Sequence, residues 1–325
     1  MSRMPFDSRL RLPLIVAPML RVSGVALVNA VCNAGAIGSF PTANCRDRVE
    51  LDHWMTQMDE ARQRHEDAGG SAAPYCPNLI MRRDARTLGD DIDLVIAHRC
   101  ELVITSVGSP VSVMPRLRDA GVKVFADVAS LRHVEKAIEA GVDGLVLLCA
   151  GAGGQTGWAN PFAFVRAARA MFDGKIVLAG GLTDGVGLHA ATVLGADYGY
   201  MGSRFVAVDE SMGDPRYKQM IVAAELDDIV LTRAITGLPA NFLAPSLEAA
   251  GLDPGELPEH LSAAEARERF GGGSDYATSA RPRRWADIWS AGHSVSGIRD
   301  VPAAAQLVDR LVVEFGQARA RSGAA

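Results

Sequence analysis

Along the first two hundred residues, short runs rich in β-branched and other apolar residues alternate with stretches whose apolar positions recur at helical spacing. The runs fall at 13–19 (PLIVAPM), 36–40, 74–80 (PYCPNLI), 101–106 (ELVITS), 122–127 (VKVFAD), 144–148 (GLVLL), 176–180 (IVLAG) and 198–202 (YGYMG). Between them, Leu131, Val134 and Ile138 follow a Ser130 cap, and Leu27, Ala30 and Ala34 follow Ser23. Asn160-Pro161 reads as a cap with a first-turn proline, and Gly174 as the stop of that helix. Such alternation predicts an α/β fold with a parallel sheet wrapped by helices, and eight repeats in about 200 residues predict closure into a (β/α)8 TIM barrel. The barrel is expected over about 12–204. From about 205 to 325 the alternation is lost, and the pattern predicts a helical C-terminal extension of the same single domain, without strands of its own. A Gly/Pro/Ser-rich excursion over 251–282, including Gly271, Gly272 and Gly273, interrupts it and would suit a flap or a homo-oligomer contact.

Composition narrows the function classes. With 48% hydrophobic and 22% charged residues the chain of 325 can bury a large core, which excludes disorder. A net charge of −5 without a long Lys/Arg run speaks against nucleic acid as a partner. No apolar stretch approaches the ~20 residues of a membrane span, and the opening Met1-Ser2-Arg3-Met4-Pro5-Phe6-Asp7 lacks the apolar region of a leader. A cytoplasmic location is the expectation. The cysteines Cys32, Cys45, Cys76, Cys100 and Cys149 are odd in number and contain no C-x-x-C pair, so buried thiols are expected and no metal site.

Glycine is in excess, 33 of 325 residues against a usual ~7%, and its placement is informative. Ala150-Gly151-Ala152-Gly153-Gly154-Gln155-Thr156-Gly157-Trp158 follows the sixth predicted strand, Gly180-Gly181 ends the seventh, and Gly202-Ser203 ends the eighth. In barrels of this kind the site is built at the carboxyl ends of the strands. Bare backbone there lets N–H groups approach an anion, and the helix after Asp184 is expected to add its positive end. The last two loops thus read as phosphate-binding, with tight-turn chemistry as the plainer alternative.

At this point the motifs carry a resemblance. Ala17-Pro18-Met19, Asn33-Ala34-Gly35-Ala36-Ile37-Gly38, Gly153-Gly154-Gln155-Thr156-Gly157, Ala179-Gly180-Gly181-Leu182-Thr183-Asp184-Gly185, Met201-Gly202-Ser203-Arg204-Phe205 and the tail segment Trp285-Ala286-Asp287-Ile288-Trp289-Ser290-Ala291-Gly292-His293 together resemble the nitronate monooxygenase (2-nitropropane dioxygenase) family. The resemblance runs in order over nearly the whole chain. It implies an FMN-dependent barrel, in a family that also includes enoyl-ACP and quinone reductases. Carried over, it places Ala17, Pro18 and Met19 beside the flavin ring, Asn78 and Gly153 on the cofactor, and Gly180, Gly181, Gly202 and Ser203 on its phosphate.

The resemblance also exposes a departure. Relatives usually carry a His just after the Gly-Gly of the sixth loop, taken as a base or as a group polarising the substrate, and this chain has Gln155. An amide takes up no proton near neutrality, yet it donates a hydrogen bond to a nitro, carbonyl or quinone oxygen. Asp127, ending the fifth strand, is a second candidate, as an orienting group or as an acceptor from Gln155. His133 reads as a capping or surface residue, and His293 as a tail residue with a secondary claim to replace the missing His. Ser106, Val107 and Gly108 should line the pocket. Trp158, Trp285 and Trp289 are expected in the core, and Cys149 as a buried small residue before a redox thiol.

The reading that follows is oxidation of alkyl nitronates by FMN and dioxygen. The alternative is an NAD(P)H-dependent flavin reductase of a quinone or activated alkene, with the nicotinamide visiting the flavin site because no Rossmann G-x-G-x-x-G follows a strand. A third reading is a flavin-free isomerase or lyase of a phosphorylated substrate.

Overall fold

The computed structural model describes residues 3–259, 261–270 and 283–323. Eight parallel strands close a barrel: β1 (Leu14–Val16), β2 (Ile37–Pro41), β3 (Tyr75–Ile80), β4 (Leu102–Ser106), β5 (Lys123–Val128), β6 (Gly144–Leu148), then, past a short β7 (Gly154–Gln155) outside the barrel, β8 (Lys175–Ala179) and β9 (Tyr198–Met201). Closure is by β1 on β9, with Ile15 opposite Tyr200. Helices α1 (Val25–Asn33), α2 (Arg48–Asp67), α3 (Ala85–Ala97), α4 (Met114–Asp119), α5 (Leu131–Ala140), α6 (Pro161–Met171), α7 (Gly185–Leu194) and the single-turn α8 (Ser203–Val206) follow successive barrel strands. The expected TIM barrel is the fold.

Side chains alternate across each strand, so every second residue faces the lumen. Ile15, Ile37, Cys76, Ile104, Phe125, Val146, Val177 and Tyr198 fill it, with Met4 and Phe6 of the N-terminal segment packed into the same cluster. The residues two or four places further on, Ala17, Pro41, Asn78, Ser106, Asp127, Leu148, Ala179 and Tyr200, form the next layer and line a cavity at the carboxyl ends of the strands. The outer faces of the strands pack on the helices in a second, larger core.

The extension departs from expectation. Besides α9 (Pro215–Ala223), α10 (Ala244–Ala249), α11 (Ala263–Phe270) and α12 (Ala304–Gly323), it contains two strands, β10 (Ile229–Thr232) and β11 (Ala240–Leu243). These pair antiparallel, and β11 pairs with β7, Ala240 opposite Gln155, giving a three-stranded sheet in the order β10-β11-β7. The reading of a strandless tail fails because the pairing partner is a glycine-rich loop with no strand pattern of its own. The glycines Gly271, Gly272 and Gly273, and the excursion beyond residue 270 as far as 282, lie outside the described residues.

Three local expectations are also corrected. α1 is capped at Gly24, because the Ser23 hydroxyl turns inward to accept the Met19 N–H and donate to the Ala17 carbonyl. α6 ends at Met171, and Phe172 is already extended, so Gly174 lies beyond the stop. Trp158 is 82% exposed, carried outward on the turn before α6. By contrast Ser130 and Asn160 cap their helices as read, accepting from the backbone N–H of His133 and Phe162.

Candidate active site

The cavity has a volume of about 300 Å³, at the small end for a small-molecule site. Its floor is the upper lumen layer, and its rim is built from three glycine-bearing strand ends. Gly180 and Gly181 follow β8 with φ of +126° and +76°, conformations that β-carbons disfavour. A Cβ on Gly181 would meet nothing within 4 Å, so that position faces open cavity. A Cβ on Gly153 would come within 2.8 Å of the Gly292 nitrogen, which is why bare backbone is needed where the sixth loop meets the tail. The Ser203 hydroxyl accepts the Gly292 N–H at 2.9 Å, which leaves its own proton to donate.

The helix after β8 does not contribute its positive end. The α7 N-terminus is occupied by two carboxylates, Asp184 accepting Gly187 N–H at 2.7 Å and Glu314 accepting Gly185 N–H at 2.9 Å. An anion in the cavity must therefore be held by the loop backbones and Ser203, and the expectation for that helix is corrected.

Every site residue expected from the sequence, namely Ala17, Pro18, Met19, Asn78, Asp127, Gly153, Gln155, Gly180, Gly181, Gly202 and Ser203, lines this cavity, as do Ser106 and Val107, whereas Gly108, expected beside them, does not. Val107 has a φ of 54°, an uncommon and strained conformation for a β-branched residue, set where the chain turns over the rim. The Asn78 amide is engaged within the barrel: it donates to the Ile104 carbonyl and to Ser106 Oγ, and Ser106 Oγ donates back to Oδ1, at 3.1–3.2 Å. Gln155 makes no side-chain hydrogen bond among the described residues.

Asp127 is the unusual group. Its side chain borders the cavity, but Oδ1 is sealed from solvent and has no hydrogen-bond partner, so the bond from Gln155 considered above is not formed. Burial without a compensating cation pushes its carboxyl up to about 7. Burial also raises the Tyr200 phenol and the Cys76 thiol, both close to Asp127. No Lys, Arg or His lines the cavity among the described residues.

The tail supplies the upper wall, which sequence reading undervalued. Trp289 stacks on Tyr217 of α9 at 5.2 Å, Trp285 stacks on Phe242 of β11 at 5.4 Å, and both tryptophans and Tyr217 line the cavity. Asn241 of β11 was missed altogether: buried, it donates to the Ala152 carbonyl at 2.7 Å and so pins the glycine-rich loop. No pattern around Asn241 announces that contact. His293 is exposed, packs its ring on Gly151 and is not a lining residue. His133 is an exposed first-turn residue of α5 whose Nδ1 accepts the Ala129 N–H. Cys149 is buried and donates to the Leu147 carbonyl, and burial pushes its thiol up to about 12, away from the reactive thiolate and in line with a buried small residue.

Residues 59–314 match the nitronate monooxygenase family. The chain is 28% identical to a nitronate monooxygenase of Paraburkholderia phytofirmans, over 82% of this chain and 86% of the relative. It is 27% identical, over 72% of this chain, to a Mycobacterium tuberculosis (3aS,4S,5R,7aS)-5-hydroxy-7a-methyl-1-oxo-octahydro-1H-indene-4-carboxyl-CoA dehydrogenase, of which 64% is covered. A solved nitroalkane oxidase from Streptomyces ansochromogenes shares the fold, with a TM-score of 0.79 at 21% identity over 97% of this chain and 99% of that one. No described helix is long and apolar enough to cross a membrane.

Proposed function

The chain belongs to the nitronate monooxygenase family and is an oxidoreductase, and from that premise we propose that it binds FMN and oxidises alkyl nitronates with dioxygen. The isomerase or lyase reading ends with the family match. One observation carries the proposal: a single cavity joins the two glycine-ended strand termini, the Ala17–Met19 backbone and Gln155. The residues fit the cofactor. Gly181 opens onto cavity space that any side chain would fill, and Ser203 keeps a free hydroxyl proton.

Gly180, Gly181, Gly202 and Ser203 would hold the phosphate through backbone N–H groups and the Ser203 hydroxyl. Ala17, Pro18 and Met19 would border the ring, with Gly153 allowing close approach from the sixth loop. Asn78, already tied to Ser106 and Ile104, would present a remaining Oδ1 lone pair and stiffen that wall. Flavin, when bound, accepts the electrons of the substrate and passes them to dioxygen. Gln155 would donate an amide hydrogen bond to a substrate oxygen, and the Trp285–Trp289–Tyr217 wall would exclude water and hold the alkyl part. A nitronate is already a carbanion equivalent, so no base is needed.

The lack of a histidine among the lining residues, together with the aromatic wall, also favours a second reading, NAD(P)H-driven reduction of a quinone or activated alkene. Anaerobic mixing of the yellow holoenzyme with a nitronate, NADH or NADPH separates them. Bleaching by the nitronate alone is expected; bleaching by NAD(P)H alone would transfer the proposal to the reductase.

A further inference from the structure

Asp127 is a carboxyl group that its surroundings leave unsupported. The hydrogen-bonded neighbours of β5 bring Ser106 from β4, next along from the Thr105–Ala126 pair and engaged through its hydroxyl with Asn78, and Val146 from β6, directly opposite Asp127. Across the lumen β3 brings the Cys76 thiol and β9 the Tyr200 phenol, both held neutral by burial. The cavity wall above adds Gln155, an uncharged amide, and Tyr217, whose phenol is neutral and donates to the Ser290 carbonyl. Outside β5, helix α5 carries Arg132, His133, Glu135, Lys136 and Glu139, and helix α4 carries Arg116, Arg118 and Asp119, all exposed to solvent and on the side of the strand away from the lumen. No cation lines the cavity among the described residues, and Oδ1 has no donor. An ionised Asp127 would therefore be an uncompensated negative charge on the floor of the cavity.

The substrate class proposed above is itself an anion. The FMN phosphate proposed above would be met by the N–H groups of the Gly180–Gly181 and Gly202–Ser203 loops, whereas a substrate anion beside an ionised Asp127 meets no cation and no donor on that carboxylate's Oδ1, so the two charges repel strongly at low dielectric. We propose that Asp127 is the charge gate of the cavity: an anionic ligand enters with uptake of one proton onto the Asp127 carboxyl, which then donates a hydrogen bond from its otherwise orphaned end. This rests on the reading that the substrate is an anion. Its consequence is linkage. The carboxyl ionises at a higher pH with the anion bound than without it. Affinity is therefore full below the ionisation point of the free site and falls by about tenfold per pH unit above it.

Butyrate is a suitable probe, a planar carboxylate that stays ionised above pH ~5.5 and that flavin does not oxidise. It is titrated calorimetrically into the holoenzyme at pH 5.5 and 8 in two buffers of different ionisation enthalpy, which counts protons directly. The expected result is close to one proton taken up at pH 8, close to none at pH 5.5, and neutral butyramide binding equally at both. Asp127→Asn should abolish the uptake and flatten the pH dependence while the protein still folds. Should that variant not fold, infrared difference spectra of the unaltered protein at pH 8 should gain a protonated-carboxyl C=O band on adding butyrate. Butyrate binding at pH 8 without proton uptake overturns the proposal. So does uptake that persists in Asp127→Asn, or absence of butyrate binding at pH 5.5. The proton count involves no electron transfer. A holoenzyme that counts one proton yet is not bleached by nitronate would refute the function and leave the gate standing.

Discussion

Gln155 sits in β7 facing the cavity with its amide uncommitted, at the position where the family resemblance led to the expectation of a histidine. An amide hydrogen-bonds a nitro oxygen but removes no proton from carbon. The unaltered enzyme should therefore turn over preformed nitronates and act poorly on the neutral nitroalkanes. Gln155→His should raise kcat/KM for the neutral nitroalkane by about 10², the usual scale of a positioned base, and leave the nitronate value nearly unchanged. Equal turnover of both forms by the unaltered enzyme would refute the assignment. At Gly181 the prediction concerns binding. Gly181→Val fills open cavity at a φ of +76°, so FMN affinity should fall at least about tenfold, while backbone strain costs only about 1–2 kcal/mol of stability. Fluorescence titration of apoprotein with FMN, beside a melting curve, checks both. The glycines were legible because bare backbone at a strand end has few other uses. Asp127 was legible as a site residue because of its strand position, but its missing partner was not, since a sequence does not show which donors a lumen lacks.

At the scale of elements, the eight barrel strands could be read because each is an apolar run buried on both faces, bounded by polar or glycine-bearing turns. β7, β10 and β11 could not. Gly154–Gln155 has no strand propensity, and it pairs because Asn241 and Ala240 of the tail come to it from more than eighty residues away. Tertiary context decided that pairing over local preference. Between α2 and α3 lies a junction that the sequence also hid: His98 places Nδ1 2.7 Å from Asp59 and Nε2 2.9 Å from Asp52. Partial burial opposes its charge, but the two carboxylates outweigh burial and hold the imidazolium above its ordinary range. Because the folded pKa lies above the unfolded value, this stabilisation is complete below pH ~6.5 and is lost as pH rises through the folded pKa. His98→Gln should therefore lower Tm at pH 5.5 by about 2 °C, the effect of about 1 kcal/mol from a partly exposed ion pair. The deficit should shrink at pH 9, and one that is constant across pH would show that the loss is packing and not charge.

For the whole molecule, the decisive question is what covers the seam where β1 meets β9. The eighth barrel helix, α8, is four residues long and too short to shield it. α12 takes that place at the far end of the chain, packing against both α7 and α1. Its buried face is Ala304, Leu307, Val308, Leu311 and Ala318, and Arg11 pairs with Asp309 across the junction. The fit against α7 is close: a Cβ on Gly185 would lie 2.3 Å from the Phe315 nitrogen, and Glu314 caps α7 on its Gly185 N–H. The carboxylate that turns the α7 terminus away from an anion is thus part of the same joint that closes the barrel. Leu307, Val308 and Leu311 together contribute about 5–9 kcal/mol by burial, which is comparable with the whole stability of an ordinary domain, about 5–15 kcal/mol. A chain ending at residue 303 should accordingly fail to fold to a soluble, flavin-binding form, whereas one ending at 318 should lose little. Leu311→Ala leaves a cavity in the seam and should cost about 3 kcal/mol, seen as a Tm lower by about 5 °C or more. A soluble 1–303 chain with an unshifted melting transition would show that the barrel closes without its tail, and would reduce α12 from a structural part of the barrel to an appendage.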